Sequence, residues 1–330
     1  MWGHGTFPNQ HIGLPGGFFA VDAFFVLSAM LITALLVVER DKYGAISLKL
    51  FYVRRALRLL PALAACIALV LLLRFTVGAV GQGLGTEIVG SLLYIENWTA
   101  IATHGDSSYL DHLWSLSVEE QFYLVWPVVL VLLLRKGFRP RAIAYGTATV
   151  AVVAWLVRWY LFDRHQGRSN ADIRSFYLNT GARIDELMLG CTLGLLPQAM
   201  WKKAAWLSLP GLIGLGVLIH VARFRADFVY EWGQTAAALC AVLMVAAGAT
   251  GHGVVTKVFA WKPIVGAGTI AYGLYLYHLP IVLAVDQQGY GETTRILLNL
   301  VLPFPVAIAS WYLLEKPALR LKERFRRATV

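Results

Sequence analysis

Charge is what this 330-residue chain has least of: Asp, Glu, Lys and Arg make up 15% of it, against 58% hydrophobic residues and a mean hydropathy of +0.62. One soluble core of this size cannot hide so much apolar surface, so an ordinary water-soluble enzyme is excluded and a bilayer is the expected solvent. Cysteine is scarce too. Cys66, Cys191 and Cys240 all fall within apolar runs and show no metal-ligand spacing, so they read as small buried residues and no metal is expected. There is no internal repeat, no low-complexity segment and no polar stretch long enough for a separate soluble domain. Acids are outnumbered, 19 against 29 Lys and Arg, but the net charge of +10 is not gathered into one patch, which argues against a nucleic-acid partner.

What the chain has in abundance is apolar runs. Windows of about 17 to 22 mostly apolar residues recur at 18–38, 57–75, 113–134, 142–162, 184–200, 205–222, 234–250, 264–285 and 295–314, each about long enough to span as a helix. The fold class expected is therefore all-α, a polytopic bundle of about nine spans. The longest connection, 76–112, carries an apolar stretch at 84–95 that reads as a short interfacial or re-entrant helix. With 39–56 placed in the cytoplasm, alternation puts 135–141, 201–204, 251–263 and the basic tail from 315 there as well. These regions, with Arg58, hold 20 of the 29 basic residues but only Glu39, Asp41, Glu315 and Glu323 among the acids, which is the positive-inside pattern. The C-terminus is then cytoplasmic. Nine spans would leave Met1 outside, so a first span entering from the cytoplasm is expected upstream of Met1.

Residues 109–127, YLDHLWSLSVEEQFYLVWP, place His112, Glu119 and Glu120 at the mouth of an apolar run. An acid at mid-membrane costs roughly 2.5 to 3.5 kcal/mol on insertion scales, so ionisable groups there are functional candidates by default. At 100° per residue, His112, Ser115, Glu119, Tyr123 and Trp126 share one helix face, and Glu120 points about 100° away from Glu119. Ser117 lies on the same segment. A carboxylate in such a place can orient a histidine or hold a proton, as acyl transfer to a hydroxyl requires. Asp22, about four residues into the first window, is similarly expensive unless it faces a polar partner. Ser28 reads as bonded along its own helix rather than as a nucleophile.

Arg54, Arg55 and Arg58 cluster at the inner end of the second window. Guanidinium forks suit phosphates, so these residues read either as a binding site for the pyrophosphate and ribose phosphate of a coenzyme A donor or as anchors for anionic lipid. Arg183 with Asp185 opens the RIDELMLG span, as an ion pair that lines an acceptor entrance or caps the helix. Trp114, like Trp98 and Trp126, reads first as an interfacial belt residue. His278, mid-span in YGLYLYHLPI, is either a hydrogen bond across helices or catalytic.

The blocks PGGFFAVDAFFVLSAMLITALL, FYVRRALRLLPAL, LDHLWSLSVEEQFYLVWP, RIDELMLGCTLG, IAYGLYLYHLPI and WYLLEKP, in that order, resemble those of the acyltransferase 3 family of membrane O-acyltransferases. The resemblance covers nearly the whole chain and departs from the family pattern at Ala20 and Ala29, where glycine is common. It implies a single membrane-embedded domain over 1–330 with ten spans, and a first helix carrying an arginine and, after ten intervening residues, a histidine. His4 falls at that histidine, and the arginine would precede Met1 by seven residues. It also implies His4 as the base and Glu119 rather than Glu120 as the matched acid, and Asp22 is read with them as a catalytic residue. The co-substrate implied is acyl-CoA, probed best as acetyl-CoA, with no permanently bound cofactor. The acceptor would be a hydroxyl of a glycan, lipid-linked sugar or secondary metabolite. Two other classes stay open from the residues alone: a proton-coupled transporter or flippase, and an inactive membrane partner of the same fold. The absence of paired, interrupted repeats counts against transport.

Overall fold

A computed structural model describes residues 15–77, 83–103, 109–164 and 169–323. Among them every regular element is helical. The principal helices are α1 (Phe19–Tyr43), α2 (Leu48–Val77), α3 (Trp114–Arg135), α4 (Pro140–Arg164), α5 (Ile184–Leu195), α6 (Ser208–Val221), α7 (Gln234–Thr250), α8 (Ala271–Asp286) and α9 (Glu292–Leu321). Six helical segments are long and apolar enough to cross a membrane, and eight if each of two bent pairs counts as one span. The bent pairs are Gln198–Ala205 with α6, at 60°, and Lys262–Thr269 with α8, at 71°.

Eight of the nine apolar windows coincide with these segments; the window 184–200 does not. There α5 stops at Leu195 after 12 residues, because Leu196 is extended and Pro197 cannot continue the helix. At 1.5 Å per residue α5 reaches about 18 Å, well short of a hydrocarbon core. Its frayed end is satisfied by Trp201, whose Nε1 donates to Leu193 O at 2.6 Å. The connection 76–112 holds two short helices, Leu84–Leu92 and Glu96–Ala102. The segment from 315 is helical through Glu323, continuing α9 rather than forming a separate tail there.

The chain divides into two compact units. The first takes in Met1–Ile46, Ile101–His104 and Ser115–Trp261; the second takes in Ser47–Ala100, Gly105–Trp114 and Lys262–Val330.

In the first unit α1 shows why a helix can be apolar all round and still have an inside. Phe24, Leu27, Leu31, Leu35 and Val38 are exposed, at the helical spacing of a lipid-facing stripe, while Asp22, Val26, Ala29, Met30 and Thr33 are buried. Gly44, with φ of 71°, ends the helix by donating its N–H to Arg40 O. Lipid offers no hydrophobic drive between helices, so close approach at small residues takes its place. A Cβ on Gly190 would stand 2.4 Å from Val26 O and 2.9 Å from the Ala29 methyl, and one on Gly194 would stand 2.7 Å from Met30 O. The Gly190 and Gly194 face of α5 therefore lies directly on the α1 backbone, and Gly190 is what leaves room for Ala29. The buried face of α1 also meets α7 through Val26, Ala238 and Ala241.

The second unit is built on α2, α8 and α9. Tyr272 donates its hydroxyl to Leu59 O at 3.0 Å, and Tyr277 donates to Ser310 Oγ at 2.9 Å, which in turn donates to Glu315 Oε1 at 3.0 Å. Buried polar chains of this kind join helices where apolar contact alone is weak.

Replacing Gly194 by Ala drives a methyl into a backbone carbonyl, and overpacking of this kind costs about 1–3 kcal/mol. Thermal unfolding of the detergent-solubilised protein should show a lower midpoint for Gly194→Ala than for Gly146→Ala, where a methyl meets open space.

Candidate active site

Asp22, one of the expensive acids, is fully buried and has its partner. Arg183, on the turn before α5, sends Nη1 to Asp22 Oδ1 and to Glu186 Oε1, both at 2.9 Å. Its Nε and Nη2 donate to Tyr177 O at 3.0 and 2.8 Å, and its guanidinium lies over the Tyr177 ring, 4.4 Å from the centroid. With the Gln234 amide oriented so that its oxygen accepts, that oxygen lies 2.7 and 3.0 Å from Nη1 and Nη2.

The expected Arg183–Asp185 pair is not made. Residues two apart at the start of a helix point about 160° away from each other, so Asp185 meets a different neighbour, Arg158 of α4, with Nη1 to Oδ1 at 2.7 Å. Thr235 of α7 donates to Asp185 Oδ2 at 2.6 Å and accepts from Arg158 Nη2. Arg158 also donates to Ala182 O and Tyr230 O at 2.8 and 3.1 Å. Arg183 and Asp185 are both buried. The result is two guanidiniums and three carboxyl groups from α1, α4, α5 and the adjoining turn. Arg158 and Glu186 were not among the expected site residues. The signal for Arg158 was present: a lone arginine inside the apolar window 142–162.

On α3, Glu119 is buried at 2% exposure and accepts from the Tyr123 hydroxyl at 3.4 Å, while Glu120 is partly exposed. Ser115, Ser117 and Tyr123 are buried on the same helix. Trp126 is buried as well and donates Nε1 to Thr33 Oγ1 at 2.9 Å, so the belt reading fails for it. It fails also for Trp114, which is 6% exposed; of the three tryptophans only Trp98 is exposed. Thr180 donates to Gln121 Oε1 at 2.7 Å, tying α3 to the turn that carries Arg183. Ser28 donates to Phe25 O, three residues back on its own helix, as expected. His4 lies outside the described residues.

In the second unit Arg54 and Arg55 are half-buried and Arg58 is exposed, within electrostatic reach of Glu315. His112, on the single turn before α3, sets Nε2 3.1 Å from Leu276 O, and its own carbonyl accepts the Tyr275 hydroxyl. The rings of His112 and His278 meet edge to face with centroids 5.1 Å apart. His278 Nδ1 is 2.6 Å from Tyr275 O. Cys66 donates Sγ–H to Leu276 O at 3.2 Å; like Cys191 it is a free, buried thiol. Among the described residues no cluster of three or more His, Cys, Asp or Glu could hold a metal ion.

Comparison with known proteins adds to this. The family described as acyltransferase domain matches residues 1–315. The chain belongs to the acyltransferase 3 family. Among relatives, the peptidoglycan O-acetyltransferase OatA of Listeria monocytogenes is 32% identical over an alignment covering 92% of this chain and 51% of that protein. The O-acetyltransferase OatA of Staphylococcus aureus is 30% identical, covering 92% of this chain and 53% of the relative. The chain thus spans about half the length of the curated relatives it matches. No solved structure matches it. As a member of the acyltransferase 3 family the chain is a multi-pass membrane domain, and the buried face of α3 and the charge cluster lie in the interior of its first unit.

Removing one partner of a buried ion pair strands the other, at about 3–5 kcal/mol. Arg183→Met should therefore lower the unfolding midpoint far more than Arg58→Met, whose side chain is exposed, when both are measured in the same detergent.

Proposed function

We propose that this acyltransferase 3 domain carries an acetyl group from acetyl-CoA to a hydroxyl of a cell-envelope glycan, with peptidoglycan the foremost acceptor. The observation that carries the reading is the match of 92% of the chain to O-acetyltransferases, one of them a peptidoglycan O-acetyltransferase, together with an acid, Glu119, buried inside the matched domain.

The chemistry needs a base and a group that holds the base. His4 is assigned as the base: it takes the proton from the acceptor hydroxyl as the oxygen attacks the thioester carbonyl, the C–S bond breaks, and the proton returns to the leaving thiolate. Glu119, in the low-dielectric interior of α3, orients that imidazole and offsets the positive charge it acquires. Asp22 gives Oδ1 to Arg183 and so fixes α1 on α5, while its Oδ2 is buried without a hydrogen-bond partner among the described residues.

Arg54, Arg55 and Arg58 bind the coenzyme A phosphates from the cytoplasmic side, where the basic residues concentrate, and the acceptor is presented from the opposite side of the cell membrane. The partial burial of Arg54 and Arg55 supports this over a purely lipid-facing role, because a partly desolvated guanidinium binds phosphate more strongly.

Membranes carrying the protein, given labelled acetyl-CoA, should label envelope glycan, and Glu119→Gln should lower that labelling by about 10²- to 10⁴-fold while Glu120→Gln stays close to wild type. Labelled material found only as free acetate, or none in the glycan, refutes the acceptor class. Substituting Arg54 and Arg55 together by Ala should raise the acetyl-CoA concentration needed for half-maximal labelling, and unchanged dependence on acetyl-CoA removes the donor assignment.

A further inference from the structure

Pro280 sits inside α8. A proline has no N–H, so the carbonyl four residues earlier loses its helical partner, and that carbonyl belongs to Leu276. Two donors from elsewhere in the second unit converge on it: Cys66 Sγ at 3.2 Å and His112 Nε2 at 3.1 Å. A carbonyl oxygen only accepts, so the contact places the hydrogen on Nε2 of the neutral His112 ring and leaves the lone pair on Nδ1. Nδ1 is buried and, among the described residues, has no hydrogen-bond partner. His278 is fixed the opposite way: its Nδ1 faces Tyr275 O, so the hydrogen is on Nδ1 and the lone pair on Nε2. The Tyr275 hydroxyl, bonded to the His112 carbonyl, holds the turn that carries the ring. A buried acceptor left without a donor costs about 1–3 kcal/mol, so a lone pair kept in that state is suited to a donor that arrives with a ligand.

We propose that His112 and His278 form a hydroxyl-recognition site in which His112 Nδ1 accepts the O–H of the acyl acceptor and takes its proton. The proposal rests on the acyl-transfer reading and gives to His112 the proton transfer from the acceptor hydroxyl that the reading assigned to His4. The acceptor O–H bond breaks with its proton passing to Nδ1, the oxygen forms the new bond to the thioester carbonyl carbon, and the C–S bond breaks. The thiolate leaves as coenzyme A, and the proton on Nδ1 passes to water before the next turnover. His278, one ring away, offers Nε2 as the second acceptor for the same hydroxyl or for its neighbour on a sugar. Pro280 is the positioning residue, since its missing N–H is what keeps the Leu276 carbonyl available to His112.

The test uses labelled acetyl-CoA with membranes holding the intact protein and their own glycan, in parallel with hydroxylamine, a nucleophile that needs no base. Wild-type transfer to both is the reference, after subtracting the reaction of hydroxylamine in membranes without the protein. Gln at position 112 keeps an amide N–H for Leu276 O but has no base nitrogen at the Nδ1 position. His112→Gln should lower transfer to glycan by about 10²-fold or more and leave transfer to hydroxylamine near wild type. Pro280→Ala restores the N–H that competes for Leu276 O, and should lower glycan transfer about tenfold while the unfolding midpoint stays at or above wild type, since a proline has been removed from a helix. An equal fall with both acceptors in His112→Gln, or no fall with either, overturns the proposal, as does unaltered glycan transfer in Pro280→Ala. A wild-type protein that transfers acetyl to neither acceptor overturns the acyl-transfer reading itself, which is a different result.

Discussion

The first unit depends on a bargain between two guanidiniums and three carboxyl groups removed from water. None of these groups is tolerable alone in an apolar interior, where an unpaired ion is costly even after relaxation. Together they make a lattice of hydrogen bonds in which Arg183 reaches Asp22 and Glu186, and Arg158 reaches Asp185 and Thr235. Because the partners come from α1, α4, α5 and α7, each helix can take only the rotation that points its polar residue at the lattice. In lipid, where apolar faces are nearly indifferent to one another, such a lattice specifies which face of a helix is the inside. The close contact of Gly190 and Gly194 with α1 then follows, since the arrangement that satisfies Asp22 also brings those glycines onto the α1 backbone.

Much of this was legible in the residues. Spans announce themselves by length and hydropathy, and eight of nine windows fold as helical segments able to cross or as bent pairs. Helix geometry and family register set Glu119 apart from Glu120, and in the structure Glu119 is buried while Glu120 is partly exposed. What failed was pairing. Arg183 and Asp185 are two residues apart and look like a pair in sequence, yet the direction of side chains at a helix start sends them to different partners, one 161 residues away in the chain and the other 27. Trp114 and Trp126 were read from the commonest fate of tryptophan in membranes, a statistic that says nothing about a neighbour such as Thr33 whose hydroxyl awaits the indole N–H. The shortness of α5 was visible in Pro197, but hydropathy summed across it hid the break.

The second unit uses a different device. Proline is tolerated inside a membrane helix because other groups take over the bond it deletes. In α8 the replacement comes from a thiol and an imidazole, so a backbone defect becomes the means of fixing a side chain's tautomer. His278, two residues before Pro280, completes the pattern using a carbonyl of its own helix. The two units thus hold their polar groups by unlike means, a charge lattice in one and a proline-released carbonyl in the other.

The length of α5 bears on how the protein is made. Twelve residues with two acids in the first turn are too short and too polar to leave the translocon for lipid as an independent segment. Synthesis delivers α1 with Asp22 and α4 with Arg158 before α5 emerges, so the partners of Arg183 and Asp185 precede them along the chain. Insertion of α5 is therefore an assembly step, a docking of one helix into a prepared set, and the order of helices along the chain is part of what makes the buried charges affordable.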